Sequence, residues 1–495
     1  MALPGSTLTV LDGGLGVTAP ASSRPCVVGV FESGPQNVPT LIGNQRQLKD
    51  IFGVNGPGND CAGFILDFSG GPIVVCRTAA SVAASYGSAS MASSISPGAN
   101  NAIGLVVATS APKINAQIVV VIVATTGALA GTTFQYSLDG GLTFSPTLAA
   151  AATVPLGTTG ITLEFGSGVT NTYAVGAQYT GTAFAPHYNA TDLGNAFTGI
   201  DQTTGAPPFD FFVFAGEAAT AAAAATLFST IATKMASYAS SADRYYRAIM
   251  GSGEGSAASV VTAFSAVTSE RVAVMYGKFR VAPPFAAIGR GLPQVPALNA
   301  AAMRAAGNVI STDLAQTSGA ASVGPLVGAT AVTDEYAVAT GLDDIKVGTL
   351  RTSANDVGLF ITNVWLKSAA GSDFQYWQHG RIMDQACRVV SREHWRLTSS
   401  SVVTKTDGSG QIQEASAQSV EKRVQRALDN EVGSAVRGVG PETVDGSTGH
   451  VSDQRYQVDR TNNVLSTNTL IATVALVPRG YLKTLRATLS FKLSI

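Results

Sequence analysis

Leu485-Arg-Ala-Thr-Leu-Ser-Phe-Lys-Leu-Ser-Ile495 alternates apolar and polar residues without a break, with Leu485, Ala487, Leu489, Phe491, Leu493 and Ile495 on one side of the pattern. Successive side chains of a strand point to opposite faces, so this stretch reads as a strand with one face for a core and one for water. A second apolar run, Leu470 to Val477, is closed by Pro478 and Gly480, and the two together predict strand, turn, strand. Such a strand either pairs at the edge of its own fold or adds to another chain. The rest of the sequence bears on that choice.

The chain has 495 residues, enough for about two to four domains. Only 13% of residues are charged and the net charge is -1, so a nucleic acid finds no clustered Lys and Arg to hold its phosphates. The same low charge leaves little repulsion between copies, which favours self-association. Met1 to Val10 lacks the basic and apolar regions of a signal peptide. Ile114 to Ala130 is too short and too polar, with Asn115 and Gln117, for a membrane span. The expectation is a soluble protein made in the cytoplasm. Cys26, Cys61, Cys76 and Cys387 show no C-x-x-C spacing and read as small buried thiols, with disulfides or a metal site as the alternatives.

Thr7, Leu8, Thr9, Val10 and Leu11 form a short strand-like run that breaks at Asp12-Gly-Gly14, as an N-terminal arm would. Val27 to Phe31 then reads as a buried strand. Asn44 is a good N-cap with Gln47 as its reciprocal partner, and Gly53 stops that helix. A second helix over about Asp60 to Phe68 leads to a strand at Ile73 to Arg77. Between Asn101 and Thr182 the pattern becomes strand-like: Ile103 to Ala108, Ala116 to Ala124, Thr132 to Ser137, Ile161 to Phe165 and Gln178 to Thr182, with Asp139-Gly-Gly141 as a hairpin turn. Helices and strands then alternate: strand Phe209 to Phe214, helix Glu217 to Ser240, strand Tyr245 to Met250, helix Ser256 to Val267, strand Arg271 to Tyr276. That spacing predicts an α/β layer interrupted by an all-β insertion. A helix over Ala297 to Ala306 and strands over Asp344 to Leu350 and Gly358 to Trp365 follow.

A long helix over Asp373 to Trp395 carries Arg381, Arg388, Arg392 and Arg396 on one stripe, and a second over Ser419 to Asn430 carries Lys422, Arg423 and Arg426. The stripe is either a solvated face or a basic rail for an acidic neighbour. Little else suggests chemistry. Gly251-Ser-Gly-Glu-Gly-Ser256 follows a strand and opens a helix, as a phosphate loop would, yet lacks the P-loop lysine and dinucleotide spacing. The histidines, His187, His379, His394 and His450, form no H-E-x-x-H, although His379 and His394 could meet Asp384 or Glu393 in space. A cytoplasmic nucleotide-binding enzyme using the Gly251 loop is the alternative function.

Gly34-Pro-Gln-Asn37-Val-Pro39-Thr-Leu-Ile, then Asn44 and a helix ending Phe52-Gly53, resembles the opening of contractile tail sheath proteins of bacteriophages. The segments Tyr136-Ser-Leu-Asp-Gly-Gly141, Gly157-Thr-Thr-Gly-Ile161 and Leu359-Phe-Ile-Thr-Asn363 through Gly371-Ser-Asp373-Phe374, and the closing pair of strands, are similar in the same order. The resemblance implies a mixed α/β, multidomain sheath-like fold. Its parts would be an arm at 1–23, an α/β domain from 24–96 and 201–362, an outward all-β insertion at 97–200, an assembly domain at 363–484 and a donated strand at 485–495. It implies a non-enzymatic, cofactor-free subunit of the virion, assembled in the host cytoplasm into stacked hexameric rings. The implied partners are other copies, the tail tube protein, and baseplate and tail terminator proteins. Thr7 to Leu11 and Leu485 to Ile495 would add strands to neighbouring subunits, and the charged helices would face the tube.

Overall fold

The computed structural model describes residues 24–69, 72–94, 102–105, 111–125, 129–141, 143–166, 173–216, 220–241, 244–253, 255–281, 329–333, 341–353, 356–397, 402–432 and 454–476. The helix expected over Ala297 to Ala306 and the terminal strands Thr7 to Leu11 and Leu485 to Ile495 lie outside these residues.

The first unit is β1 (Pro25–Gly29), β2 (Thr40–Ile42), α1 (Gln45–Phe52), α2 (Pro57–Ser69) and β3 (Ile73–Arg77). Asn44 caps α1 by accepting the Gln47 N–H at 2.9 Å, and Gly53 ends it at φ 81°. Gln47 reaches one residue further back than a reciprocal box would, accepting the Gly43 N–H at 2.8 Å. The Gly34-to-Pro39 turn folds over the end of β3: Asn37 donates its N–H to the Arg77 carbonyl at 2.7 Å, and Arg77 Nη1 donates to the Gly34 carbonyl at 2.7 Å.

Glu32, just after β1, accepts the N–H groups of Val54 and Asn55 at 3.1 Å each and the Lys113 ammonium at 2.8 Å. Burial pushes its carboxyl up, but these donors and the Asn55 amide outweigh that push and hold it at about 2. A carboxylate depressed from 4.5 stabilises the fold above its unfolded value and loses that contribution as pH falls from about 4.5 to about 2. Its side chain is 27% exposed, so the effect expected is about 2–3 kcal/mol. Acid titration of Glu32→Gln followed by circular dichroism should show a shallower loss of stability over that interval than the parent.

The chain then leaves the α/β layer for a run of strands: β4 (Ser85–Tyr86), β5 (Ala92–Ser93), β6 (Ile103–Leu105), β7 (Ala116–Ala124), β8 (Thr133–Ser137), β9 (Leu148–Ala149), β10 (Thr153–Pro155), β11 (Thr162–Phe165) and β12 (Gln178–Phe184). They form a three-stranded sheet, β10-β11-β6, and a larger sheet, β4-β12-β7-β8-β9, with β5 also on β12. Both close on one apolar core that includes Ile118, Val120, Phe134, Leu163, Phe165 and Tyr179. At the Asp139 turn, Gly140 and Gly141 sit at φ 79° and 90°, and the Asp139 carboxylate accepts the Thr143 N–H at 3.0 Å.

The return to the α/β layer begins with α3 (Ala190–Gln202), inside the stretch expected to be all β. Asn189 accepts the N–H groups of Thr191 and Asp192, and Asp192 accepts the Asn189 N–H, a complete capping box that starts a helix at that point. Gly199 lets α3 lie directly on the Asn37 carbonyl, where a Cβ would collide. Then come β13 (Phe211–Ala215), α4 (Ala221–Ser241), β14 (Ala248–Gly251), α5 (Ala257–Phe264) and β15 (Val272–Met275). The six-stranded sheet runs β15-β14-β13-β1-β3-β2, parallel throughout except for the antiparallel edge strand β2. Its inner strands are buried on both faces, as a sheet sandwiched by helices requires. α3, α4 and α5 cover one face, α1 and α2 the other.

An antiparallel pair of β16 (Lys278–Val281) and β17 (Ala329–Thr333) and another of β18 (Leu350–Thr352) and β19 (Leu359–Ile361) follow. The strand expected over Asp344 to Leu350 is turn at 344–346 and extended from 347, where Gly348 forms a parallel bridge with Met275 of β15. Residues 341–346 form turns, with Lys346 at φ 59°. The last described part holds α6 (Trp377–Leu397), α7 (Glu414–Glu431), β20 (Gln454–Val458), the short α8 (Val464–Thr467) and β21 (Ala472–Leu476). β21 pairs antiparallel with β20; the C-terminal strand that its sequence suggested as partner lies outside the described residues. The described chain is thus a mixed α/β structure with several separate sheets.

Candidate assembly site

α6 has three working faces. The first lies under the N-terminal ends of the parallel strands. Arg24, Asp210, Arg247 and Arg271 each stand immediately before β1, β13, β14 and β15, so strand register brings them into one row. Asp384 of α6 pairs with Arg247 Nε at 2.7 Å and Arg271 Nη1 at 3.2 Å, and Asp210 pairs with Arg388 and, at 4.0 Å, with Arg381. Gly380 permits this approach, because a Cβ there would strike the Arg247 guanidinium. Burial pushes the Asp210 carboxyl up against the pull of Arg388 and Arg381, and it pushes Arg247 down against the pull of Asp384. Each charge therefore depends on its partner to stay charged.

The second face packs on α7 through Ile382, Ala386 and Val389, which share a core with Val420, Val424 and Leu428. Glu393, 4% exposed, sits between the helices and takes Arg396 at 2.6 Å and Arg423 at 3.0 Å. Arg392 reaches Glu431 at the end of α7. The arginine stripe seen in the sequence is real, but its members are held by carboxylates of this chain: buried Arg381 and part-buried Arg388 by Asp210, and the exposed Arg392 and Arg396, with Arg423 of α7, by Glu431 and Glu393. Arg381, 4% exposed, has no surface to offer a neighbour. Lys422 and Arg426, four residues apart on α7, are exposed.

The third face is open. Met383, Cys387, Val390, Ser391, His394 and Trp395 recur along one side of α6 and, with Tyr245 and Val474, line a groove of about 450 Å³. Trp395 is 79% exposed. His394 shares a 2.7 Å hydrogen bond with the Tyr456 hydroxyl, and burial holds the imidazole below its ordinary value. Neither His394 nor His379 contacts Asp384 or Glu393 in the described contacts; those carboxylates are held by arginines.

The β20–β21 sheet bordering this groove has one edge sealed by α7 and, among the described residues, one edge with no strand on it. On the outer side of β20, the N–H groups of Tyr456 and Val458 donate to Gln425 Oε1 at 3.0 Å and Glu421 Oε1 at 2.8 Å, both from α7. The pairing Tyr456↔Val474 and Val458↔Ala472 means that Ala472, Val474 and Leu476 turn their own backbone groups the other way, beyond β21. Among the described residues β21 has no second strand partner. Gln454-Arg-Tyr-Gln-Val458 escaped recognition as a strand because its polar residues mask the alternation of Tyr456 and Val458. The α7 side chains that seal it are distant in sequence.

The Gly251 loop is packed, not open. Ser252 is fully buried and donates its N–H to the Met275 carbonyl at 3.0 Å, while Gly253, at φ 76°, lies against Thr220 and Ala224 at the start of α4. Cys26, Cys61 and Cys76 are buried free thiols, and Cys387 is partly buried. Among the described residues no cluster of His, Cys, Asp and Glu could hold a metal.

No protein-family model and no curated protein matches the sequence. Solved structures do. A chain of the anti-feeding prophage baseplate, symmetrised six-fold, is similar over 100% of both chains at 13% identity and a TM-score of 0.53. A chain of the same baseplate in its contracted state is similar over 100% of both at 10% identity and a TM-score of 0.52. The sheath tail protein Lin1278 from Listeria innocua overlaps less, at a TM-score of 0.46, 11% identity and coverage of 92% of this chain and 95% of that one. The chain has the fold of a chain in the anti-feeding prophage baseplate.

Proposed function

We propose that this protein is a structural, self-assembling tail sheath subunit, which stacks in hexameric rings around a tail tube and contracts to drive the tube through a host envelope for genome delivery. The observation that carries the reading is the edge of β21 that no described strand pairs with, beside the apolar groove along α6. A strand added there gains backbone hydrogen bonds from Ala472, Val474 and Leu476 and lays alternate side chains into the groove. Leu485 to Ile495, from a neighbouring copy, has the alternation that such a strand needs. Thr7 to Leu11 is the second candidate link.

Contacts that repeat from copy to copy without closing build an open helical array. Copies joined by exchanged strands can change their packing while remaining attached, so an extended array can be held kinetically and released by small gains summed over many copies. The fold shared with a baseplate chain solved in a contracted state supports this reading. The partners are then other copies, the tail tube, and baseplate and terminator proteins, within the virion. Lys422 and Arg426 on the exposed side of α7 are the charges available to face the tube or a neighbour. No described helix is long and apolar enough to cross a membrane.

Removal of residues 485–495 tests the reading. The shortened chain is expected to keep its circular dichroism spectrum and to elute as small species, with no tubes in negative stain. Tubes of normal length from the shortened chain would overturn strand exchange at this end.

A further inference from the structure

The chain enters the described fold at Arg24, at the N-terminal end of β1, and β1 lies in the interior of the six-stranded sheet. It is hydrogen-bonded in parallel to β13 over Pro25 to Gly29 and to β3 over Cys26 to Gly29. Arg24 is 4% exposed; its Nη1 donates to the Pro208 carbonyl at 3.0 Å and its carbonyl accepts the Asp210 N–H at 2.7 Å. Asp210 in turn holds Arg381 and Arg388 of α6. In chain order the β insertion lies between β3 and α3.

We propose that Arg24, Asp210 and α6 form a load-bearing joint, through which tension on the segment preceding Arg24 passes along β1 into the sheet and through Asp210 into the C-terminal helices. This rests on the reading of the chain's ends as links between copies. A pull along the axis of β1 loads two ladders of hydrogen bonds in shear, so they must fail together. A pull across the strands opens them one at a time. An edge strand would have offered one ladder, and a loop none. The buried carboxylate adds a second route, because separating Asp210 from its guanidinium partners strands charges away from water.

Single-molecule pulling of the full chain tests this. On a Cys387→Ser background the three remaining native thiols are buried, so handles can be placed at the N-terminus and at Thr220→Cys, beyond the C-terminal end of β13. A second pair at Leu41→Cys and Asp344→Cys pulls across the sheet. The joint predicts a rupture force at least twofold higher along the strands than across them, and a fall of a third or more along the strands in Asp210→Asn. Arg388→Met serves in the same way if Asp210→Asn does not fold. Equal forces in the two directions, or no change in either variant, would overturn the proposal. Tube formation by the unmodified chain is scored separately: high directional force without tubes removes the linking role and leaves the joint, whereas tubes with equal forces remove the joint alone.

Discussion

Asp384→Ala is expected to destabilise the chain by about 3–5 kcal/mol, the range for breaking a buried ion pair by removing one partner. Asp384 is 3% exposed and is held by Arg247 and Arg271. Its loss leaves Arg247, also 3% exposed, as an unpaired guanidinium where burial already disfavours its charge. The surface pair Arg46–Asp50, with side chains 91% and 66% exposed and 3.9 Å apart, gives the contrast, and Asp50→Ala should change stability by less than about 0.5 kcal/mol. Urea unfolding followed by tryptophan fluorescence reads both, because Trp377, which begins α6, packs edge-on to Phe211 of β13 at 5.7 Å between ring centroids. The loss should appear as a lower midpoint for the transition in which α6 leaves the sheet. A midpoint as little changed as that of Asp50→Ala would mean that the charges along this face do not hold α6 in place.

Val474→Pro is expected to abolish tube formation while leaving the protomer folded. Proline removes one backbone N–H, and the pairing of Val474 with Tyr456 directs that N–H away from β20. Proline is tolerated in edge strands when the missing N–H faces outward. The β20–β21 ladder should therefore survive, with a stability loss of about 1–2 kcal/mol from altered packing of a half-buried side chain. A strand added beyond β21 would instead lose a central hydrogen bond and meet the proline ring. Thr473→Pro, whose N–H faces β20, should unfold the hairpin and separates the two effects. Tubes from Val474→Pro at normal yield would show that nothing pairs with this edge.

Much of the architecture was legible because local signals agreed with the final environment. Ala116 to Ala124 is a strand at the bounds its sequence suggests, and Asn44 and Gly53 bracket α1 as cap and stop. α3 was missed although Asn189 and Asp192 spell its capping box, because the strand pattern before it set the reading of the region. The joint between sheet and helix was hidden for a different reason. Arg381, Arg388, Arg392 and Arg396 do share a stripe, and a stripe of charge on a helix reads as solvated when its partners lie far away in sequence. Asp210 lies 171 residues before Arg381, and Arg247 lies 137 residues before Asp384, its partner on the same helix. The signal available was their position: Arg24, Asp210, Arg247 and Arg271 each abut the first residue of a wholly buried strand. Charges there must be paired, and only another element's charges can pair them. The sealing of the β20 edge was equally invisible, since it depends on Gln425 and Glu421 of α7.

The central claim is that sister copies complete the β21 edge, and a cryo-EM map of tubes grown from the purified chain tests it most directly. The account predicts a strand running beside Ala472 to Leu476, with side chains in the groove of Val390, His394 and Trp395, whose density traces back to a different copy. Density that leads instead to the same copy, or an edge left bare within a well-formed tube, would contradict it.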